Sequence, residues 1–157
     1  MNIKLALLVA SLASAISLSA TAETRKKAAR AVIRPAAEIT WTPLVPELGA
    51  KGPQISVVFG ELKKGPVGLL MKQPAGARPG PHTHTSDYWA VVVTGQLQDF
   101  EPGMAASAKK LPSGSWWMQP GKAAHDNHCV PGTECVAFIY LPKGFDFAPV
   151  PVKKAER

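Results

Sequence analysis

Proline and glycine divide this chain into short apolar segments from residue 39 onward. The sequence contains 15 prolines and 13 glycines, and most apolar runs end close to one of them. Proline removes a backbone donor and glycine favours turns, so this region has little room for long helices. Many short strands in so short a region are typical of a β-sandwich or a β-barrel, and the jelly roll belongs to this class. The sequence therefore predicts an all-β domain.

Seven segments have the length and the apolar, β-branched or aromatic composition expected of strands. Turn residues such as Gly65-Pro66, Pro102-Gly103 and Ser113-Gly114 separate several of them. The predicted strands are residues 39–41, 55–60, 67–73, 88–94, 96–100, 115–119 and 135–141.

The first 22 residues have the features of an export signal. Lys4 supplies a positive charge, residues 5–16 form an apolar stretch, and Ala20-Thr21-Ala22 offers the small residues that a signal peptidase cuts after. The apolar stretch is shorter than the roughly 20 residues that a membrane-spanning helix needs. We therefore predict cleavage, no membrane span, and a periplasmic or secreted protein of 135 residues, enough for one domain.

The net charge of +7 resides at the two ends of the chain. Between Pro35 and Val152, nine basic and nine acidic residues cancel. This distribution does not indicate a nucleic-acid partner; solubilising tails are the simpler interpretation, and attraction to an anionic surface is the alternative. The predicted organisation is a signal peptide (1–22), a basic N-terminal tail (23–37), a β-barrel domain (38–150) and a basic C-terminal tail (151–157).

The two cysteines fit an exported protein. Cys129 and Cys135 enclose Pro131-Gly132, which is typical of a tight turn, so the two thiols can face each other across a hairpin. An oxidising compartment would join them. We predict a structural disulfide rather than a thiolate metal site.

His82 and His84 are two residues apart, so in an extended segment both imidazoles point to the same face. Such a pair chelates Mn, Fe, Ni, Cu or Zn well. A polar strand face in contact with water is the alternative interpretation of the pair taken by itself.

Two blocks of sequence, 80–95 and 114–129, resemble the two motifs of the cupin superfamily. The first motif contains a His-x-His pair and a later glycine, which His82, His84 and Gly95 match. The second contains a glycine, a proline and a histidine, which Gly114, Pro120 and His125 match. The resemblance implies a cupin-type jelly-roll β-barrel in which His82, His84 and His125 hold one divalent transition metal (Mn, Fe, Ni, Cu or Zn).

The wider sequence is similar to exported single-domain cupins that mostly lack an assigned activity. The residues that carry this likeness are Trp41-Thr42-Pro43-Leu44, the block from His82 to Gly95, Trp117 to Gly121 and Phe145-Asp146-Phe147. The likeness implies the fold and the compartment but no substrate.

The sequence departs from the cupin pattern at two positions. Tyr88 stands where the superfamily has its glutamate ligand, and Cys129 stands at the asparagine of the second motif. Asp87 is adjacent, but strand alternation turns it away from the face that Tyr88 shares with the histidines. We therefore expect a neutral three-histidine site, with Gln119 as a further candidate ligand. Tyr88 is expected to act in catalysis or to support the site by hydrogen bonding; a phenolate ligand and a simply packed side chain are the alternatives.

Three neutral ligands leave a divalent ion with its full charge and open coordination positions. The first hypothesis is a metal-dependent enzyme, dioxygenase- or lyase-like, that acts on a small oxygen-rich metabolite. The second is a non-catalytic periplasmic protein that binds or senses a metal or small ligand, and the third is a metal-free structural barrel. We expect a small-molecule ligand as the partner, and a homodimer is an open alternative.

Overall fold

The computed structural model describes residues 30–151 of the chain. The predicted signal peptide, the first part of the basic N-terminal tail and the C-terminal tail from residue 152 lie outside the described residues. The chain divides into two units, residues 1–33 and 34–157, and the fold below is that of the second.

The described residues form eleven strands and three short 3-10 helices, with no α-helix among them. Within this part of the chain, no helix is long and apolar enough to cross a membrane. The 3-10 helices are Ala36–Glu38, Pro46–Lys51 and Ala105–Ser107. The strands are β1 Thr42–Pro43, β2 Gln54–Gly60, β3 Val67–Gln73, β4 His82–Thr83, β5 Tyr88–Thr94, β6 Gln96–Phe100, β7 Leu111–Pro112, β8 Trp116–Gln119, β9 Asp126–Cys129, β10 Cys135–Leu141 and β11 Ala148–Pro149.

The strands form one large sheet and two small ones. The large sheet has six strands in the order β1-β2-β3-β10-β5-β8, the second has three in the order β7-β6-β9, and β11 pairs with β4. All the paired strands are antiparallel. Side chains of β3 and β10 from the large sheet line one cavity together with side chains of β6 and β9. The interior therefore lies between these two sheets, as the predicted cupin-type jelly roll requires.

Strand β10 shows how the sequence forms the core. Its inward side chains Cys135, Ala137, Ile139 and Leu141 are buried, and those between them are half-buried. This period of two is the geometry of a pleated strand. Burial of these apolar side chains on one face, together with that of β3 and β5, supplies the main stabilising free energy.

The outer face of the large sheet is apolar as well. On β5 the outward residues Trp89, Val91 and Val93 are more than two-fifths exposed, and on β8 Trp116 is 70% exposed. Alternation along β5 therefore separates buried apolar residues from exposed apolar residues, not apolar from polar ones.

Most of the predicted strands agree with the structure. Those at 67–73, 88–94, 96–100 and 135–141 have the predicted bounds, and those at 55–60 and 115–119 differ by one residue at their start. The prediction of a strand at 39–41 is wrong, because the pairing with β2 involves Thr42 and Pro43 instead. A proline is tolerated there because β1 is an edge strand with one unpaired side.

The structure contains the predicted disulfide between Cys129 and Cys135. Both cysteines are buried; Cys129 ends β9 and Cys135 begins β10. Because β9 belongs to the three-stranded sheet and β10 to the six-stranded sheet, the bond links the two sheets covalently. It therefore holds together the two walls of the interior.

The exchange of both cysteines for alanine should lower the free energy of unfolding by about 2 kcal/mol, because closure of this short loop restricts the unfolded chain. Urea unfolding of oxidised protein against the double variant measures the difference. Reduction of the natural protein should reproduce the loss and should not affect the variant. Two free thiols in denatured, unreduced protein would contradict the bond.

Candidate metal centre

Three histidine side chains from two segments meet at one end of the interior. His82 begins β4, His84 follows that strand, and His125 immediately precedes β9. The backbones of His82 and His125 exchange two hydrogen bonds, of 2.8 and 2.9 Å. All three imidazoles are buried, and one ring nitrogen of each lies within 4.8 Å of the others. The structure thus brings together the three residues predicted as ligands.

Each imidazole is oriented by a hydrogen bond from its Nδ1 atom. His82 Nδ1 donates to the carbonyl of Gly80 at 2.8 Å, and His84 Nδ1 donates to the carbonyl of Asp146 at 2.6 Å. His125 Nδ1 lies 2.7 Å from a carboxylate oxygen of Asp99. Because these oxygens can only accept, the neutral form of each ring has its proton on Nδ1 and a lone pair on Nε2.

Burial keeps two of the rings uncharged. Loss of hydration lowers the pKa of His82 to about 4 and also lowers the pKa of His84, against the opposing hydrogen bonds to Gly80 and Asp146. At neutral pH these two imidazoles are therefore neutral, which is the form that binds metals. His125 Nε2 is buried and has no hydrogen-bond partner among the described residues. A buried ring nitrogen without a partner, beside two further imidazoles, fits a bound transition-metal ion.

Aromatic side chains hold the rings from the cavity side. The Phe147 ring stacks on His82 with centroids 4.4 Å apart, and the Tyr88 ring meets His84 edge-on at 5.1 Å. Phe147 belongs to segment 145–150, which pairs with β4 through β11 and also supplies the carbonyl that orients His84. The C-terminal part of the domain thus positions two of the three histidines.

Tyr88 is buried at the start of β5, on the same side as His84. Its hydroxyl accepts a hydrogen bond from Trp117 Nε1 at 3.4 Å, and its own proton has no acceptor among residues 30–151. Burial, and to a lesser degree the charge of Asp99, raise the pKa of Tyr88 above its ordinary value. The side chain is therefore a neutral phenol with a proton to donate.

Gln119 and Asp87 differ in how they relate to the site. Gln119 is buried opposite Tyr88 in the sheet, and its amide nitrogen donates to the carbonyls of Ala123 and Pro120. Its role as a metal ligand stays a prediction. Asp87 accepts a hydrogen bond from the backbone N–H of Gly121 and is exposed, so it faces away from the histidines, as strand alternation predicts.

Two cavities border the histidine cluster. The larger has a volume of ≈ 890 Å³, and His82, His84, Tyr88 and Trp117 form part of its wall. The smaller, of ≈ 600 Å³, is bordered by His125, Asp99 and Gln119. The larger is within the range of cavities that enclose small molecules.

Sequence reasoning missed Asp99, the carboxylate that orients His125. Asp99 is on β6, which pairs with β9, and its register partner Asn127 is two residues beyond His125. An acidic residue in a predicted strand was the available signal, but its position beside His125 follows only from the pairing of β6 with β9.

Solved structures that resemble this one have cupin folds. The polyketide cyclase RemF from Streptomyces resistomycificus aligns with a TM-score of 0.62 at 17% identity, over 81% of this chain and 89% of its own. An RmlC-like cupin protein from Ralstonia eutropha JMP134 gives 0.57 at 16% identity, over 73% and 69%. KdgF from a Halomonas species gives 0.52 at 20% identity, over 78% and 96%. At these identities the likeness establishes the fold alone, and it confirms the cupin prediction at that level.

Comparison of the sequence with curated proteins finds no match. Residues 33–147, most of the chain, match the family model described as a domain of unknown function, DUF4437. The chain has the cupin fold and belongs to the DUF4437 family.

Proposed function

We propose that this protein is an exported metal-dependent enzyme that acts on a small oxygen-rich molecule bound in the barrel. The observation that carries the proposal is the convergence of three buried imidazoles, each oriented through Nδ1 by an acceptor that leaves Nε2 free. Metal-binding histidines in proteins are oriented in this way. A metal-free structural barrel gains nothing from burying three such groups.

The bound ion would be one divalent transition metal held by His82, His84 and His125, and it would act as a Lewis acid on an oxygen of the ligand. Because the three ligands are neutral, the charge of the ion would not be reduced by the protein at these positions. A divalent cation at the wall of the larger cavity suits an oxygen-rich ligand in that space.

Tyr88 and the aromatic side chains would act on the ligand directly. The Tyr88 hydroxyl has a proton with no acceptor in the described protein and borders the larger cavity, so it can donate to a ligand oxygen beside His84. Phe147 stacks on the ring of His82 and Phe145 meets the ring of His84 edge-on, so both aromatic side chains line the same cavity beside the histidines.

Export remains part of the proposal, supported by the signal-like residues 1–22 and by the disulfide. The alternative function is a periplasmic protein that binds a metal or small ligand without turnover. Tightly held Fe or Mn favours the enzyme, whereas weakly held Zn favours the binding protein.

The metal content of purified, tag-free protein tests the proposal. The natural protein should contain one divalent transition metal per chain, and His82→Ala with His84→Ala should contain none while the barrel stays folded, because its core is apolar. His128→Ala is the matched control, since His128 lies outside the cluster. Elemental analysis and circular dichroism give the readouts. A natural protein that takes up none of Mn, Fe, Ni, Cu or Zn would refute the proposal.

Asp99→Asn should weaken metal binding by roughly 10-fold and Asp99→Ala by up to about 100-fold, because His125 loses the carboxylate that orients it. Competition with a chromophoric chelator measures the affinity. Asp87→Asn is the control, since Asp87 contacts the backbone of Gly121 instead of a histidine. Equal effects of the two asparagine substitutions would remove Asp99 from the site.

Tyr88→Phe should leave the metal affinity unchanged and reduce ligand binding or turnover, because only the donor hydroxyl is lost. Tyr88→Glu should tighten metal retention, because a carboxylate then stands at the usual cupin ligand position. The same chelator competition gives both affinities. If Tyr88→Phe lost metal as readily as the double histidine variant, Tyr88 would be a ligand rather than a donor.

A further inference from the structure

The larger cavity is lined by positively charged side chains that do not belong to the histidine cluster. Lys51, Lys63 and Arg78 line it, whereas no carboxylate among the described residues does. Arg78 is partly neutralised, because its Nε donates to the buried carboxylate of Asp126 at 2.7 Å. The two lysines form no ion pair within this part of the chain. The cavity therefore attracts negative charge.

The ring of Phe145 lies between Lys63 and the histidine cluster. Lys63 Nζ is 3.5 Å from the carbonyl oxygen of Phe145 and 5.7 Å from the centroid of that ring. The ring of Phe145 also lies near that of His84, with ring centroids 6.0 Å apart. An acidic group near Lys63 would thus lie near the histidine end of the cavity.

The amide pair of Gln73 and Asn127 adds a hydrogen-bonding requirement. Both residues line the cavity, and Gln73 Nε2 donates to Asn127 Oδ1 at 2.9 Å. Gln73 Oε1 is buried and has no partner among the described residues. An unpaired buried acceptor is costly, and a ligand hydroxyl directed at it would remove that cost.

We infer that the cavity binds a small organic anion that also carries hydroxyl groups, with Lys63 attracting the acid group and Gln73 accepting from a hydroxyl. The inference rests on the proposed function and deepens it, because it names the ligand class of the same site. The volume of ≈ 890 Å³ accommodates a chain of six carbons.

Three probes of similar chain length separate the requirement for an acid group from the requirement for hydroxyl groups. D-gluconate has the acid group and the hydroxyls, D-glucitol has only the hydroxyls, and hexanoate has only the acid group. Calorimetric titration of the full protein at low ionic strength should give the tightest binding for gluconate, by about tenfold or more over glucitol. Added salt should narrow this difference. Equal affinities for gluconate and glucitol, or no binding of any probe at millimolar concentration, would overturn the inference.

Two substitutions then assign the roles. Lys63→Gln should weaken gluconate and hexanoate alike, by about fivefold, and leave glucitol unchanged. Lys64→Gln is its matched control, because Lys64 has the same charge but pairs with Glu61 on the surface. Gln73→Met, similar in size, should weaken gluconate by about three- to tenfold and leave hexanoate unchanged. An unchanged gluconate affinity in both Lys63→Gln and Gln73→Met would reject these contacts.

The same titrations in the double variant that carries His82→Ala and His84→Ala distinguish a failure of this inference from a failure of the proposed function. A preference for gluconate over glucitol that persists in this variant supports the ligand class independently of the metal. If the natural protein holds no metal but keeps the preference, the metal-dependent function fails and the ligand class stands. If the natural protein holds metal but does not prefer gluconate over glucitol, the ligand class fails and the metal-dependent function stands.

Discussion

The pairing of β10 with β3 on one side and β5 on the other sets which side chains of the large sheet face the interior. All seven residues of β10 pair with β3 in continuous register, from Cys135 with Gln73 to Leu141 with Val67. On its other side, β10 pairs with the strand that begins at Tyr88. A shift of one residue would turn the inward side chains outward. The contact of Tyr88 with His84 and the position of Gln73 in the cavity wall therefore depend on this register.

Burial of the histidine cluster costs free energy, and hydrogen bonds to neighbouring groups offset part of that cost. Removal of three imidazoles from water is unfavourable unless their polar atoms find partners. The carbonyls of Gly80 and Asp146 and the carboxylate of Asp99 each bind the Nδ1 atom of one ring. The remaining cost of burial therefore comes from the Nε2 atoms, which face one another. Segment 145–150 covers His82 and His84. Among the described residues, His125 Nε2 then remains buried without a hydrogen-bond partner.

Much of the fold followed from the sequence because the long strands have a simple local signature. Strands at 67–73 and 135–141 are apolar runs bounded by turn residues, and their bounds agree with the structure. Strands β4, β7, β9 and β11 have two to four residues and no apolar alternation, so no local pattern indicates them. The candidate ligands were indicated by the two-residue spacing of His82 and His84 and by the resemblance to the two cupin motifs.

The groups that orient the ligands could not be predicted in the same way. His125 and Asp99 are 26 positions apart in the chain and meet only because β6 pairs with β9. His84 is oriented by a backbone carbonyl of Asp146, and any residue can supply a carbonyl. The unpaired Oε1 of Gln73 similarly depends on the position of Asn127 across the interior. Such contacts depend on which strands lie beside or opposite one another, and the order of residues within one strand does not contain that information.

The apolar outer face of the large sheet has a consequence for how the chain reaches this register. Because β5 and β10 are apolar on both faces, a slipped pairing would exchange one hydrophobic set for another, and burial would discriminate weakly against it. The correct register must then be selected by contacts at the ends of these strands. At the turn that follows β5, Gly95 has φ +79°, and a Cβ atom there would come within 2.6 Å of the Glu134 carbonyl oxygen. The neighbouring Cys135 is tied to β9. The disulfide can form only when Cys135 at the start of β10 faces Cys129 at the end of β9, so this bond selects chains in which these two strand ends are correctly aligned.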